Sequence, residues 1–144
     1  MTDFDPVAFE NALIADMRAN DGVLTTGPMA GSRPLVLNSK GAKTGKPRRA
    51  ILFFSRDGDD YVIAGSASGS PKDPAWLANV EANPEVTFEA DGRAFKATAS
   101  VAEGAERDRL WDQHVAAHPN FADYPAQTGR VIPMVRLKPV KDQT

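Results

Sequence analysis

The chain has 144 residues, 17 Lys and Arg against 19 Asp and Glu, and a formal net charge of -2. The absence of cysteine excludes disulfides, thiolate metal sites, iron–sulfur clusters and a cysteine nucleophile. The near-neutral balance disfavours nucleic acid as a partner, although a local basic patch remains open.

The length fits a single domain, divided at most into a packing segment (1–33) and a main body (34–144). No run reaches the ~18–20 apolar residues of a membrane span. The acidic start Met1-Thr2-Asp3-Phe4-Asp5 lacks the basic and apolar regions of a signal peptide, so a cytoplasmic protein is expected.

Asp5-Pro6 predicts a helix start, with Asp5 accepting from an orphan amide and Pro6 at the first helical position. Phe9, Leu13, Ile14 and Met17 recur at helical spacing until Asn20-Asp21-Gly22 ends the pattern. This helix is amphipathic, which suits packing against the body and, as a lesser reading, a peripheral membrane contact. Residues 22–33 read as a loop. Leu35-Val36-Leu37-Asn38 is a short apolar strand. Ala50-Ile51-Leu52-Phe53-Phe54 and Tyr61-Val62-Ile63-Ala64 flank Asp57-Gly58-Asp59-Asp60 and predict a hairpin. Asp73-Pro74 opens a short helix carrying Trp76, Leu77 and Val80, closed by Asn83-Pro84. A second hairpin joins Val86–Ala90 to Ala94–Ala99 through Asp91-Gly92. A longer helix covers about Glu103 to His118, with Leu110, Trp111, His114 and Val115 on one side. Val131 to Leu137 forms the last strand, with Pro133 near an edge or an end. With no βαβ alternation, this order predicts an α+β protein: a mostly antiparallel split β-barrel with helices at the rim.

Five basic residues, Lys40, Lys43, Lys46, Arg48 and Arg49, share one strand connection with Gly41 and Gly45 and no acidic residue. Glycines admit a close anion, and the cations supply charge and forked hydrogen bonds. The pattern is not a Walker A loop, because Pro47 stands where Ser or Thr would hold magnesium. A solvated basic hairpin and a docking loop for an anionic small molecule are both compatible with it. Ser66-Ala67-Ser68-Gly69-Ser70 leads into the helix start at Ala75 and Trp76, an arrangement that presents free amides to a ligand. His114 and His118 sit one helical turn apart, but no acidic or cysteine third ligand accompanies them, so no metal site is expected. Pro119 to Pro125 places Phe121 and Tyr124 in a loop suited to walling a pocket.

In this order, Gly41-x-Lys43-Thr44-Gly45-x-Pro47-Arg48, Asp57-Gly58, Ser66 to Gly69, Pro74-x-Trp76-x-x-Asn79, Asn83-Pro84-Glu85-Val86 and Tyr124…Thr128-x-Arg130-x-Ile132-Pro133 resemble the deazaflavin (coenzyme F420)-dependent nitroreductases of actinobacteria. These are a branch of the split β-barrel flavin-binding proteins. The resemblance covers about residues 34–139. It implies an oxidoreductase in which reduced F420 gives a hydride to a small acceptor such as a quinone, an enone or a nitro compound. It also implies that Lys43, Thr44 and Arg48, with Ala42 and Arg49 beside them, hold the cofactor phosphate and part of its acidic tail. Ala50, Ile51, Leu52, Phe53 and Phe54 would run along the ring. Ala64, Gly65, Ser66 and Ala67 would close on it, and Ala75, Trp76, Leu77, Ala78 and Asn79 would flank it. His118, Phe121 and Tyr124 would border the acceptor, with Ser66 and Tyr124 as the catalytic hydroxyls. Ala42 and Ala67 stand where relatives often carry Arg and Lys, and His118 and Phe121 where some carry tyrosine. Alternatives within the fold are an FMN-binding oxidoreductase and a non-catalytic cofactor or lipid carrier. On any of these readings the chain is expected as a monomer or homodimer.

Overall fold

The structure is a computed structural model, described for residues 5–27, 29–65, 74–123 and 131–140. Asp5 accepts from the amides of Val7 (3.0 Å) and Ala8 (3.2 Å) and so caps helix α1, Pro6–Ala19. Asn20 is the C-cap, and Gly22 at φ 90° reverses the chain. Strands β1 (Leu35–Lys40), β2 (Pro47–Leu52), β3 (Ser55–Asp57) and β4 (Asp60–Ala64) follow, then helix α2 (Ala75–Ala82). Strands β5 (Glu85–Ala90) and β6 (Arg93–Val101), helix α3 (Gly104–Ala117), a 3₁₀ segment (Pro119–Asp123) and β7 (Met134–Pro139) complete the order.

The strands form one antiparallel sheet in the order β2-β1-β5-β6-β7-β4-β3. Its two edges are β2 and β3, and the chain crosses from one to the other through only Phe53 and Phe54. So short a link brings the edges together and curls the sheet into the expected split barrel, with an unladdered seam. The Asp57-to-Asp60 hairpin forms as anticipated, but its first arm is Ser55–Asp57 rather than 50–54. Residues 47–52 instead pair along β1, from Lys40↔Pro47 to Leu35↔Leu52. The β5–β6 turn has Asp91 at φ 53° and Gly92 at φ 76°, the paired positive values a type I′ turn requires. β7 begins after Pro133, so the proline removes no ladder donor from this central strand.

Side-chain alternation sorts the apolar residues into an inner and two outer clusters. Leu35, Leu37, Tyr61, Ile63, Phe88, Val135 and Leu137 point inward, and α2 adds Trp76, Leu77 and Val80 as a plug at one end. Outside, Val36 and the partly buried Ile51 meet Ile14, Met17 and Leu24, so α1 and its loop cover β1 and β2. On the opposite flank, Val62, Ala64, Ile132 and Met134 meet Leu110 and Phe121, seating α3 and the 3₁₀ segment over β4 and β7. Leu24, Leu110, Ile132 and Met134 have no exposed surface. Truncating any of them to alanine is expected to cost about 2–5 kcal/mol.

An ion network fastens α3 from outside. Asp57 accepts from both Nη atoms of Arg109 (3.0 and 3.2 Å) and from Nη2 of Arg136 (2.7 Å), while Arg136 Nη1 donates to Asp60 (2.7 Å). The two arginines hold the Asp57 carboxyl far below the usual carboxylate range. Arg107 adds two hydrogen bonds to the Ile132 carbonyl, at 3.0 and 2.8 Å.

Candidate active site

The basic connection of the sequence is a tight turn between β1 and β2. The Gly41 amide donates to Lys46 O (2.8 Å), the Gly45 amide to Gly41 O (2.8 Å), and the Lys46 amide to Thr44 Oγ1 (3.2 Å). Gly45 sits at φ 70°, and a Cβ on Gly41 would lie 2.8 Å from Thr44 Oγ1. Gly45 therefore needs to be glycine for this shape, and a side chain at Gly41 would push the Thr44 hydroxyl away from the Lys46 amide. The turn is tied to the barrel plug: Asn79, buried on α2, accepts the Ala42 amide through Oδ1 at 2.9 Å.

All side chains from Ala42 to Arg49 are exposed. Among the described residues, no carboxylate lies within ion-pair distance of Lys40, Lys43, Lys46 or Arg48. Arg48 reaches only the neighbouring Pro47 carbonyl, at 3.1 Å. Arg49 differs, because strand alternation turns it outward onto α1, where Nε meets Glu10 (3.0 Å) and Nη2 donates to Asn11 Oδ1 (2.6 Å). The turn is thus a cluster of four cations without internal neutralisation. A groove of about 580 Å³ adjoins it, lined by Lys40, Gly45, Pro47, Glu85, Lys96 and Thr98.

Along the seam, Ala50, Leu52 and Phe54 contribute to the inner cluster and are only partly buried, whereas Ile51 faces α1 and Phe53 faces the α3 cluster. Among the described residues no strand pairs with the free edge of β2. An edge strand keeps its outward N–H and C=O groups available to a planar, hydrogen-bonding ligand. Across the seam, Ala64 is buried, and the Gly65 amide donates to Pro133 O at 2.8 Å. On α2, Ala75 and Ala78 are exposed, while Trp76 and Leu77 belong to the core.

His118 is half-buried, and its Nε2 lies 2.7 Å from Phe54 O. Phe121 is buried in the α3 cluster, with its ring edge-on to His114 at 4.5 Å between centroids. His114 is fully buried with Nδ1 3.0 Å from Ser55 Oγ, and burial together with the neighbouring His118 lowers its pKa from 6.5 to about 4. Among the described residues no set of three His, Asp or Glu side chains converges for a metal. Ser66, Ala67 and Tyr124 lie outside the described residues, as do Asp73, Thr128 and Arg130. Sequence reasoning missed the Asn79–Ala42 tether, the Ser55–His114 pair and the His118–Phe54 bond. Only the one-turn spacing of the two histidines signalled any of them.

The profile of the F420H(2)-dependent quinone reductase family matches residues 12–139. An F420H(2)-dependent quinone reductase of Mycobacterium tuberculosis is 38% identical over 106 residues, covering 72% of this chain and 71% of that protein. A solved F420H2-dependent reductase is 34% identical with a TM-score of 0.68, covering 73% of this chain and 93% of the other. A second solved chain, a domain-swapped dimer, is 28% identical with a TM-score of 0.70 over 93% of this chain.

Proposed function

Since the chain belongs to the F420H(2)-dependent quinone reductase family, we propose that it uses reduced coenzyme F420 to reduce a quinone, with the cofactor phosphate on the Lys43–Arg48 turn and the ring along the seam. The observation that carries this reading is the four-cation turn, without a carboxylate partner among the described residues, tethered by Asn79 beside a free strand edge. Its chemistry fits the cofactor. A phosphate and an acidic tail require unneutralised cations and close backbone amides, and a flat ring requires apolar surface with open hydrogen-bonding groups beside it.

Bound F420H2 supplies the hydride, so the chain itself needs no metal, thiol or nucleophile for the transfer. Lys43, Thr44 and Arg48 bind the anion. Ala50, Leu52 and Phe54 present partly covered apolar surface to the ring and exclude water from its face. The backbone at Ala64 and Gly65 borders the other side of the seam, while the Ala64 side chain is buried against α3. A quinone oxygen becomes negative as hydride arrives, and Ser66 and Tyr124 are proposed as the hydroxyls that donate hydrogen to it. Arg49, engaged by Glu10 and Asn11, is assigned to holding α1 rather than to the anion.

Parallel titrations with oxidised F420 and FMN, followed by anaerobic oxidation of F420H2 with a soluble naphthoquinone, test the proposal. Tight binding of F420 with weak or absent FMN binding, together with quinone-dependent oxidation, is expected. Preference for FMN, or binding of F420 without turnover of any acceptor, would replace it with one of the other roles open to the fold. Ser66→Ala and Tyr124→Phe are each expected to slow turnover while leaving cofactor affinity near the parent value. If both variants kept parent rates with every acceptor tried, the two hydroxyls would lose their assignment.

A further inference from the structure

Phe54 lies where the chain passes from one sheet edge to the other, so its carbonyl belongs to no ladder. His118 Nε2 approaches that carbonyl to 2.7 Å. A carbonyl oxygen can only accept, so Nε2 carries the hydrogen, and in the neutral ring Nδ1 is the bare nitrogen. The ring is also packed on three sides, with centroids 5.5 Å from Phe53, 5.1 Å from His114 and 5.8 Å from Phe121.

The backbone of the same residue joins two further elements. The His118 amide donates to His114 O (2.8 Å) and ends α3, while its carbonyl accepts from the Phe121 amide (3.0 Å) and begins the 3₁₀ segment. One turn earlier, His114 holds Ser55, the residue after Phe54. Two histidines one helical turn apart thus grip two consecutive residues of the seam, one through a backbone carbonyl and one through a hydroxyl.

We infer that His118 is a positioning residue: through the Phe54 carbonyl it fixes the spacing between the seam, which carries the cofactor, and the 3₁₀ segment leading to the acceptor wall. The inference rests on the proposed function, because only there do these two surfaces hold the reacting partners. Hydride transfer requires donor and acceptor atoms about 3–3.5 Å apart, and a displacement of about 1 Å can cost on the order of 100-fold in rate. A hydrogen bond joining the two walls is therefore a control on rate more than on binding.

The test compares His118→Phe, which keeps an aromatic ring against Phe53 and Phe121 but loses the donor, with His118→Gln, whose amide can still donate to Phe54 O. His118→Phe is expected to lower kcat with the naphthoquinone about 10-fold with little change in its KM, while F420 affinity stays within about 2-fold. His118→Gln is expected to recover most of that loss. Parent kinetics in His118→Phe, equal losses in both variants, or a lowered Tm with unchanged kinetics would each overturn the positioning role. Long-range ¹H–¹⁵N NMR of the unmodified chain reads the same bond without catalysis and without a variant having to fold. An Nε2–H tautomer at His118 supports the bond, and an Nδ1–H tautomer overturns it. If the parent chain shows the Nε2–H tautomer yet neither binds nor oxidises F420H2, the proposed function fails and the positioning role falls with it. If it turns over normally with the Nδ1–H tautomer, only the positioning role fails.

Discussion

Asn79 Oδ1 accepts the Ala42 amide hydrogen at 2.9 Å, so the helix that plugs the barrel also sets the position of the basic turn. Asn79→Leu removes the acceptor at similar bulk and leaves the turn anchored only by β1 and β2. F420 affinity is expected to fall several-fold, with a stability loss of about 1 kcal/mol. Asn79→Asp keeps an acceptor for the same amide but adds a negative charge beside the proposed phosphate site. It should therefore retain stability better than Asn79→Leu and bind F420 more weakly. Titration of both variants checks this, and parent-like affinity in Asn79→Asp would place the phosphate elsewhere.

Arg48 and Arg49 are neighbours with opposite assignments. Among the described residues Arg48 has no acidic partner, whereas Arg49 meets Glu10 and Asn11 on α1. Arg48→Ala is expected to weaken F420 binding about 10-fold or more with little change in Tm, since charge-assisted bonds to an anion contribute about 1.5–3 kcal/mol. Arg49→Ala should leave affinity near the parent value and cost about 0.5–1 kcal/mol of stability, the ordinary range for a half-exposed pair. The reverse pattern would exchange their roles.

The features legible in the sequence were those with local causes. Asp5 signals the start of α1, and Asp91-Gly92 signals a hairpin whose backbone needs two positive φ values. The basic turn is visible because five cations without an acid are improbable as a neutral surface. The seam is not local. Residues 50–54 form one apolar run, and only the pairing of 47–52 with β1, and of Ser55–Asp57 with β4, divides it at Phe53 and Phe54. Arg49 joins the anion cluster on composition and leaves it on alternation, which turns its side chain toward α1. The histidine grip was hidden because His118 binds a backbone carbonyl, and a carbonyl has no residue signature. Ser66 and Tyr124 rest on the family resemblance and on the kinetic test above.

Acid stability depends on His114. Burial lowers its pKa in the fold from 6.5 to about 4, so between those values the unfolded chain takes up a proton that the native chain refuses. The neutral ring's stabilising contribution is complete above about pH 6.5 and falls away as the pH drops toward 4. The total is on the order of 3 kcal/mol at 1.36 kcal/mol per unit. Asp57, held low by Arg109 and Arg136, adds a further loss that begins as the pH falls through the ordinary carboxylate range and continues below it. Chemical denaturation at intervals from pH 7.5 to 4 should show the slope. His114→Leu, less stable at neutral pH because Ser55 Oγ loses its partner, should show a flatter profile between 6.5 and 4. An unchanged slope in that variant would assign the titration to another group.

Gly22 gives a backbone test of how α1 is seated. It stands at φ 90°, and a Cβ on it would lie 2.8 Å from the Asp91 amide nitrogen and 2.9 Å from Asp91 Cα. Gly92 faces it with only slightly more room, its own Cβ position 3.1 Å from Asp21 Cα. The turn after α1 and the β5–β6 turn therefore interlock, backbone to backbone, next to the Arg18–Glu89 pair at 2.8 Å. Gly22→Ala meets both an unfavourable φ and main-chain atoms, which cannot rotate away as a side chain would. A loss of about 2–4 kcal/mol is expected, from strain of about 1–3 kcal/mol with overpacking added. Gly27→Ala, also at positive φ (77°) but with open space around its Cβ, should lose only the conformational part, about 1 kcal/mol. Urea denaturation of the two variants separates the terms. Equal losses would show that the turns yield to one another and that the interlock does not hold α1 in place.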